Sequence, residues 1–142
     1  MKKCVFCQIT AKQIDPELTV FENEDVIAQV CLAHKPKNHG HILVIPKKHI
    51  QNIYDLPENL GAPLMSTLRL LSRSVKKAFF ADGIHIRQNN EPASGQDVFH
   101  LHFHVIPRYY KDDFENEHYE QLPLQRRTEL AESLKIAIKT EQ

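Results

Sequence analysis

The 142-residue chain is short of glycine, of cysteine and of any excess of one charge, and each shortage removes a class of protein. Its four glycines, Gly40, Gly61, Gly83 and Gly95, stand too far apart for a Walker-type or dinucleotide-binding loop, so any phosphate must be held by strand-end backbone groups and side chains. Three cysteines, an odd number, do not suggest a disulfide framework. No apolar run approaches the ~20 residues that cross a bilayer, and the opening Met-Lys-Lys-Cys-Val-Phe-Cys-Gln lacks the apolar core of a signal peptide. The expectation is a cytoplasmic protein with no membrane partner. Lys plus Arg (18) balances Asp plus Glu (18), which leaves no basic surface for nucleic acid but does not exclude a small anionic ligand held by local donors. No repeat or low-complexity segment is visible.

What is present is an ordinary globular composition, 42% apolar and 25% charged, which argues against disorder, with nine clustered histidines. The length suits one domain with one core; the core is expected over about residues 4–110, followed by a tail with a helix over 111–142. Cys4–Ile14 reads as loop-like. Leu18–Glu22 and Val26–Cys31 are β-rich and separated by the polar Asn23-Glu-Asp25, which predicts a hairpin. His34–Gly40 reads as a polar loop and His41–Ile45 as a strand stopped by Pro46. Asp55-Leu-Pro-Glu58 resembles a capped helix start, and Leu60, Leu64, Leu68, Leu71, Val75 and Phe79 follow as one apolar stripe, predicting a helix over Asp55–Ala81. Ile84–Gln88 and Val98–Ile106 read as further strands, and Arg126–Lys139 as a C-terminal helix. The order implies an α+β domain: about five mostly antiparallel strands, one long helix and a C-terminal helix.

The most informative stretch is Phe99-His-Leu-His-Phe-His-Val-Ile106. In a strand, His100, His102 and His104 share one face while Leu101, Phe103 and Val105 share the other. Three readings compete. In the first the polar face is simply rich in histidine; in the second the imidazoles bind a metal, although the ligands of one zinc usually come from more than one element; in the third they act on an anion, one ring attacking phosphorus while its neighbours hydrogen-bond the phosphate oxygens.

His100-Leu101-His102-Phe103-His104-Val105-Ile106 resembles the signature of the histidine-triad family, histidines alternating with apolar residues. Gly95-Gln96 before it, Pro107-Arg108 after it, Leu43-Val-Ile-Pro-Lys-Lys-His49 at mid-chain behind His39-Gly-His41, and the Cys4/Cys7 opening extend the similarity over roughly residues 4–108. The resemblance implies that His102 is the nucleophile, forming a nucleotidyl-histidine that water then cleaves. A sheet carbonyl would hold its Nδ1–H and leave Nε2 free, while His104 would contact the α-phosphate. Asn89 and Gln96 match polar positions used on phosphate, leaving group or ribose, and Gly95, Gln96, Asp97 and Val98 align with the segment whose amides approach the phosphate. The implied partner is a purine mononucleotide or dinucleotide, cleaved as a phosphoramidate or a dinucleoside polyphosphate, and the implied assembly is a homodimer through the long helix and the strand before it. A non-catalytic nucleotide-binding or scaffolding protein of the same fold is the competing reading.

Cys4-Val-Phe-Cys7 has the gap of a zinc knuckle, which alone weighs no more than two reduced cysteines. The resemblance supplies two further ligands, His49 and His100, giving a structural Zn²⁺ set of Cys4, Cys7, His49 and His100. The chain departs from the family in two places. Ala33 stands where members carry an acidic residue on the ribose, leaving His34 or Asn38 to hold the sugar. Glu91 stands where many relatives have glycine. His41 is expected to serve structure, and His34, His39, His85 and His118 to be solvated.

Overall fold

The computed structural model describes residues 4–142. Residues 4–14 are not the expected loop: they open with α1 (Val5–Thr10), where Cys4 is the N-cap and its sulfur accepts from the Cys7 N–H at 3.5 Å. Phe6 and Ile9, three residues apart, bury one side of α1. A turn and a half is too short for an apolar period to stand out in the sequence.

The hairpin forms as expected. β1 (Thr19–Glu22) and β2 (Val26–Val30) pair antiparallel, and in the turn Asn23 Oδ1 accepts from the N–H groups of Asp25 and Val26, both at 2.9 Å. The two-residue β3 (Ala33–His34) follows, then β4 (Ile42–Pro46). The long helix, α2, runs Gly61–Ala78, so it begins six residues after the expected cap. Asp55 instead closes a 3₁₀ turn, Ile53–Asp55, capped by Asn52. Leu56 precedes proline and is held extended (φ −67°, ψ 119°), which breaks any helix there. β5 (Gly83–Arg87), β6 (Phe103–Arg108), the short β7 (Glu120–Gln121) and α3 (Leu124–Glu141) complete the chain.

The main sheet has the order β1-β2-β4-β6-β5 with every neighbouring pair antiparallel, and β3 pairs with β7 apart from it. The result is the mixed α/β fold that the pattern implied. β2 and β4 are buried along their whole length because both faces of the sheet are covered. On one face Val26, Ala28, Val30, Ile42, Val44 and Val105 meet Leu64, Leu68, Leu71 and Val75 of α2 and Leu130, Leu134 and Ile138 of α3. On the other, Ile27, Leu43 and Ile45 meet Phe6 and Ile9 of α1. Gly40 makes the turn into β4 at φ +114°, where a Cβ would come within 2.5 Å of the Phe79 ring; only glycine fits.

The histidine run departs from expectation in one respect. Its ladder begins at Phe103, not Val98. Upstream, the backbone finds other partners: Leu101 N–H donates to the Ile50 carbonyl at 2.6 Å, and the His100 carbonyl binds the His102 ring at 2.7 Å. The alternation survives all the same. Leu101 and Val105 are fully buried in the larger core, with Phe103 packed against it, and the histidines point away from that core.

Candidate active site

The C-x-x-C pair lies at the start of α1, where the three-residue offset brings both sulfurs to one side. Facing them are His49, just past β4, and His100, at the bend before β6. The ligand-type atoms of Cys4, Cys7, His49 and His100 all lie within 4.8 Å of one another. Cys4 Sγ and Cys7 Sγ are each 3.5 Å from His100 Nδ1, Cys7 Sγ is 3.3 Å from His49 Nδ1, and the two Nδ1 atoms are 3.1 Å apart. Tetrahedral zinc, with bonds of about 2.3 Å to sulfur and 2.0–2.1 Å to nitrogen, places neighbouring ligand atoms roughly 3.3–3.8 Å apart. The cluster therefore fits a metal of that size. His100 Nε2 is 2.8 Å from the Pro46 carbonyl, so its proton belongs on Nε2 and Nδ1 is left to ligate.

His102 and His104 lie beside this cluster with ring centroids 5.0 Å apart. His102 Nδ1 is 2.7 Å from the His100 carbonyl. Because a carbonyl only accepts, Nδ1 carries the proton and Nε2 keeps its lone pair. Phe6 meets the His102 ring edge-on at 4.7 Å. Burial lowers the His102 pKa, against an opposing effect of the His100 carbonyl. Burial also pushes His104 down to about 3, with His102, Arg87 and His85 adding to it. Both rings are neutral near pH 7.

Two contributors went unread in the sequence. Phe6 is one. His41, expected to be structural, is the other: its Nε2 lies 2.7 Å from His104 Nδ1, which orients the second histidine. The register accounts for it: Leu43 pairs with His104, and His41, two residues back on the same face of β4, lies diagonal to that histidine. No sequence rule gave that register in advance.

The loop before the triad holds the other expected residues. Asn89 faces Gly95: a Cβ added to Gly95, whose φ is +97°, would stand 3.3 Å from the Asn89 amide nitrogen. Gln96 is buried and its amide is fully engaged, accepting from Glu91 N–H at 2.6 Å and donating to the carbonyls of Gln51 (2.7 Å) and Val98 (3.1 Å). It braces the loop, with no amide proton left over for a phosphate. The N–H groups of Gly95 and Gln96 also bond internally, to Pro92 and Glu91, whereas those of Asp97 and Val98 have no acceptor among the described residues. Asp97 is exposed, and its charge raises the His102 pKa.

The candidates for holding the sugar are corrected. His34 is fully buried rather than solvated. Its Nε2 donates to the Cys31 carbonyl at 2.7 Å, and its Nδ1 accepts from Gly40 and His41 N–H at 3.2 Å each. Asn38 is equally buried, its amide donating to the Pro107 carbonyl and to Asp112, both at 2.9 Å. His34 has both ring nitrogens engaged, and Asn38 Oδ1, which has no partner among the described residues, is buried out of reach of a ribose. Both instead close the turns that carry the chain into β4.

Comparison with known proteins gives a match to the HIT domain family over residues 12–111. "Protein hit" of Bacillus subtilis is 38% identical over 112 residues, which is 79% of this chain and 75% of that protein. Adenylylsulfatase HINT3 of Arabidopsis thaliana is 36% identical over 77% of this chain and 54% of its own length. Adenosine 5'-monophosphoramidase HNT1 of Saccharomyces cerevisiae is 31% identical over 74% of this chain and 62% of its own length. Among solved structures, a zinc-bound histidine triad family protein from Mycobacterium smegmatis superposes with a TM-score of 0.82 at 30% identity, over 97% of this chain and 94% of that one.

Proposed function

The chain belongs to the HIT domain family, and from that premise and the geometry around His102 we propose that it hydrolyses nucleotides at the α-phosphate through a nucleotidyl-histidine. The observation that carries this reading is the 2.7 Å bond from His102 Nδ1 to the His100 carbonyl, which fixes the tautomer whose Nε2 can attack. In the first step the Nε2 lone pair forms a bond to phosphorus, and the bond to the leaving group breaks with its electron pair on the departing atom. In the second, water attacks the same phosphorus and releases a proton to solvent, the P–N bond breaks, and its electrons return to Nε2. The net products are a nucleoside monophosphate and the leaving group. Two displacements in sequence replace one difficult one, and fixed donors hold the phosphoryl oxygens.

His104 is assigned to a phosphoryl oxygen. With its Nδ1 bonded to His41 Nε2, it can present an Nε2–H there. The unpaired amides of Asp97 and Val98 are assigned to another oxygen, with Gly95 permitting their approach. Asn89 is assigned to the leaving-group side, and Gln96 to bracing this loop. Cys4, Cys7, His49 and His100 are assigned to zinc. When bound, it supplies no chemistry to the reaction but closes the end of the histidine run onto α1. The partner is a purine mononucleotide or dinucleotide; the two relatives named for an activity share an adenylyl or adenosine monophosphoryl group in their names and differ in what is attached to it. A homodimer is proposed by the family likeness; of its two expected contact elements α2 exposes Met65, whereas β4, the strand before it, is buried between β2 and β6, and the exposed apolar neighbour of α2 is instead Ile86 of β5. Among the described residues no helix is long and apolar enough to cross a membrane, in keeping with the proposed cytoplasmic location.

The test is a quench in base of protein mixed with an adenosine phosphoramidate. An acid-labile adduct of one nucleotide per chain is expected for the native protein and none for His102→Ala. Turnover by His102→Ala equal to that of the native protein would remove the reading.

A further inference from the structure

Arg87 is the last residue of β5 and pairs with His104 of β6 in an antiparallel register. Directly opposed residues share a face, with Cβ atoms about 4.5–5.5 Å apart. The guanidinium therefore rises beside the imidazole that is nearest the nucleophile. The neighbouring pairs agree: Ile84 and Ile86 turn to the α2 side, where Ile84 packs on the core, and His85 and Arg87 turn to the histidine side. The positive charge of Arg87 is felt at His102, His104, His41 and His85 alike.

No carboxylate neutralises it. Among the described residues Arg87 is absent from every ion pair, its Nη2 makes one 3.3 Å bond to the Tyr119 hydroxyl, and its Nε is buried without a partner. A half-buried guanidinium with donors to spare costs stability unless an acceptor arrives. Tyr119, at the free rim, props the side chain from outside the sheet.

We propose that Arg87 determines leaving-group specificity, favouring nucleotidyl substrates whose leaving group is an oxyanion (phosphate, a nucleoside phosphate or sulfate) over those whose leaving group is an amine; this rests on the His102 reading. The chemistry of the first step separates the two classes. When the P–O bond breaks, the electron pair stays on an oxygen that already belongs to a strong acid, so it leaves unprotonated and negative charge accumulates there. When a P–N bond breaks, the departing nitrogen requires a proton. Guanidinium cannot lose one at any working pH, but its planar fork matches an oxyanion. Arg87 thus offers the first class what it needs and the second nothing.

The experiment measures kcat/KM on adenosine 5'-phosphosulfate and diadenosine tetraphosphate, and on a tryptamine phosphoramidate of AMP, for the native protein, Arg87→Gln and Arg87→Lys. The anion-to-amine ratio of kcat/KM should fall about 10–100-fold in Arg87→Gln, the scale of one lost charge-assisted contact. Arg87→Lys should recover part of it. Tyr119→Phe, which removes the bond propping the guanidinium, should lower the same ratio by less, and it keeps a readout if Arg87→Gln fails to fold. A ratio unchanged in Arg87→Gln, or a loss shared equally by both classes, overturns the proposal while leaving His102 in place. No turnover of either class by the native protein overturns the parent reading and this inference with it.

Discussion

Glu91 sits at φ +72°, ψ 157°, a region of backbone space that is essentially reserved for glycine. Holding an L-residue there costs on the order of 1–3 kcal/mol. Replacing it with glycine removes that strain but adds conformational freedom to the unfolded chain, worth about 0.4–1 kcal/mol in the opposite direction. Among the described residues the side-chain hydrogen bond forfeited is the 3.0 Å bond from Tyr54 hydroxyl to Glu91 Oε2, which is at the surface and screened by water. The backbone contact that matters, Glu91 N–H to Gln96 Oε1 at 2.6 Å, survives the change. The balance is a stabilisation of about 1 kcal/mol, or roughly 3 °C in Tm for a chain of this size. Urea unfolding of native protein, Glu91→Gly and Glu91→Ala would measure it, with equal m-values required for the comparison. Alanine keeps the Cβ and loses the tyrosine, so it should gain nothing. If Glu91→Ala stabilises as much as Glu91→Gly, or if Glu91→Gly is destabilised, the strain account is refuted.

His102→Ala should cut kcat by several orders of magnitude while weakening nucleoside monophosphate binding far less, and His104→Ala should cost turnover less than His102→Ala; steady-state kinetics with a binding isotherm separates these. Chelation, or Cys4→Ala, should release near-stoichiometric zinc and lower Tm, read by metal analysis and calorimetry, because ligand-set binding energy is folding energy. Acid should destabilise the protein in a defined window. Burial holds His34 down to about 4, below the unfolded value of about 6.5. As pH falls through that interval the unfolded chain takes up a proton that the folded chain refuses, so stability falls from pH about 6.5 to about 4 and levels off below. The contribution of His34 is at most about 3 kcal/mol, and His34→Gln should flatten the corresponding slope in denaturant unfolding measured against pH.

The parts of the molecule that were legible in the sequence are those in which a period of two or of three and four decides burial. Leu64, Leu68, Leu71 and Val75 face the sheet as their spacing requires, and Leu101 and Val105 enter the core while the histidines between them do not. The motif singled out the histidine run and the cysteine pair, and the four metal-type ligands do converge. What escaped was set by bonds between distant segments. Nothing local says that the Ile50 carbonyl takes the Leu101 N–H and so ends the ladder at Phe103, or that Asn38 is drawn inward by Pro107 and Asp112 instead of reaching a ligand. The misplaced start of α2 is different: the constraint of Pro57 on Leu56 was present in the sequence, and the capping pattern at Asp55 outweighed it wrongly.

The early end of the β6 ladder is also what lets one histidine run serve two purposes. Had residues 98–102 continued as regular strand, the His100 carbonyl would bond a neighbouring strand and be unavailable to the His102 ring. Released from the ladder, His100 makes three different connections: Nδ1 to the cysteines and His49, Nε2–H to the Pro46 carbonyl, and its own carbonyl to His102 Nδ1–H. The ligand cluster and His102 are thus joined through a single residue whose ring and backbone are both fixed. Anything that tilts His100, whether the loss of Cys4, Cys7 or His49, also turns the carbonyl that sets the His102 tautomer. Defects in the cluster should therefore reach the chemistry through the orientation of His102, over and above their cost to folding.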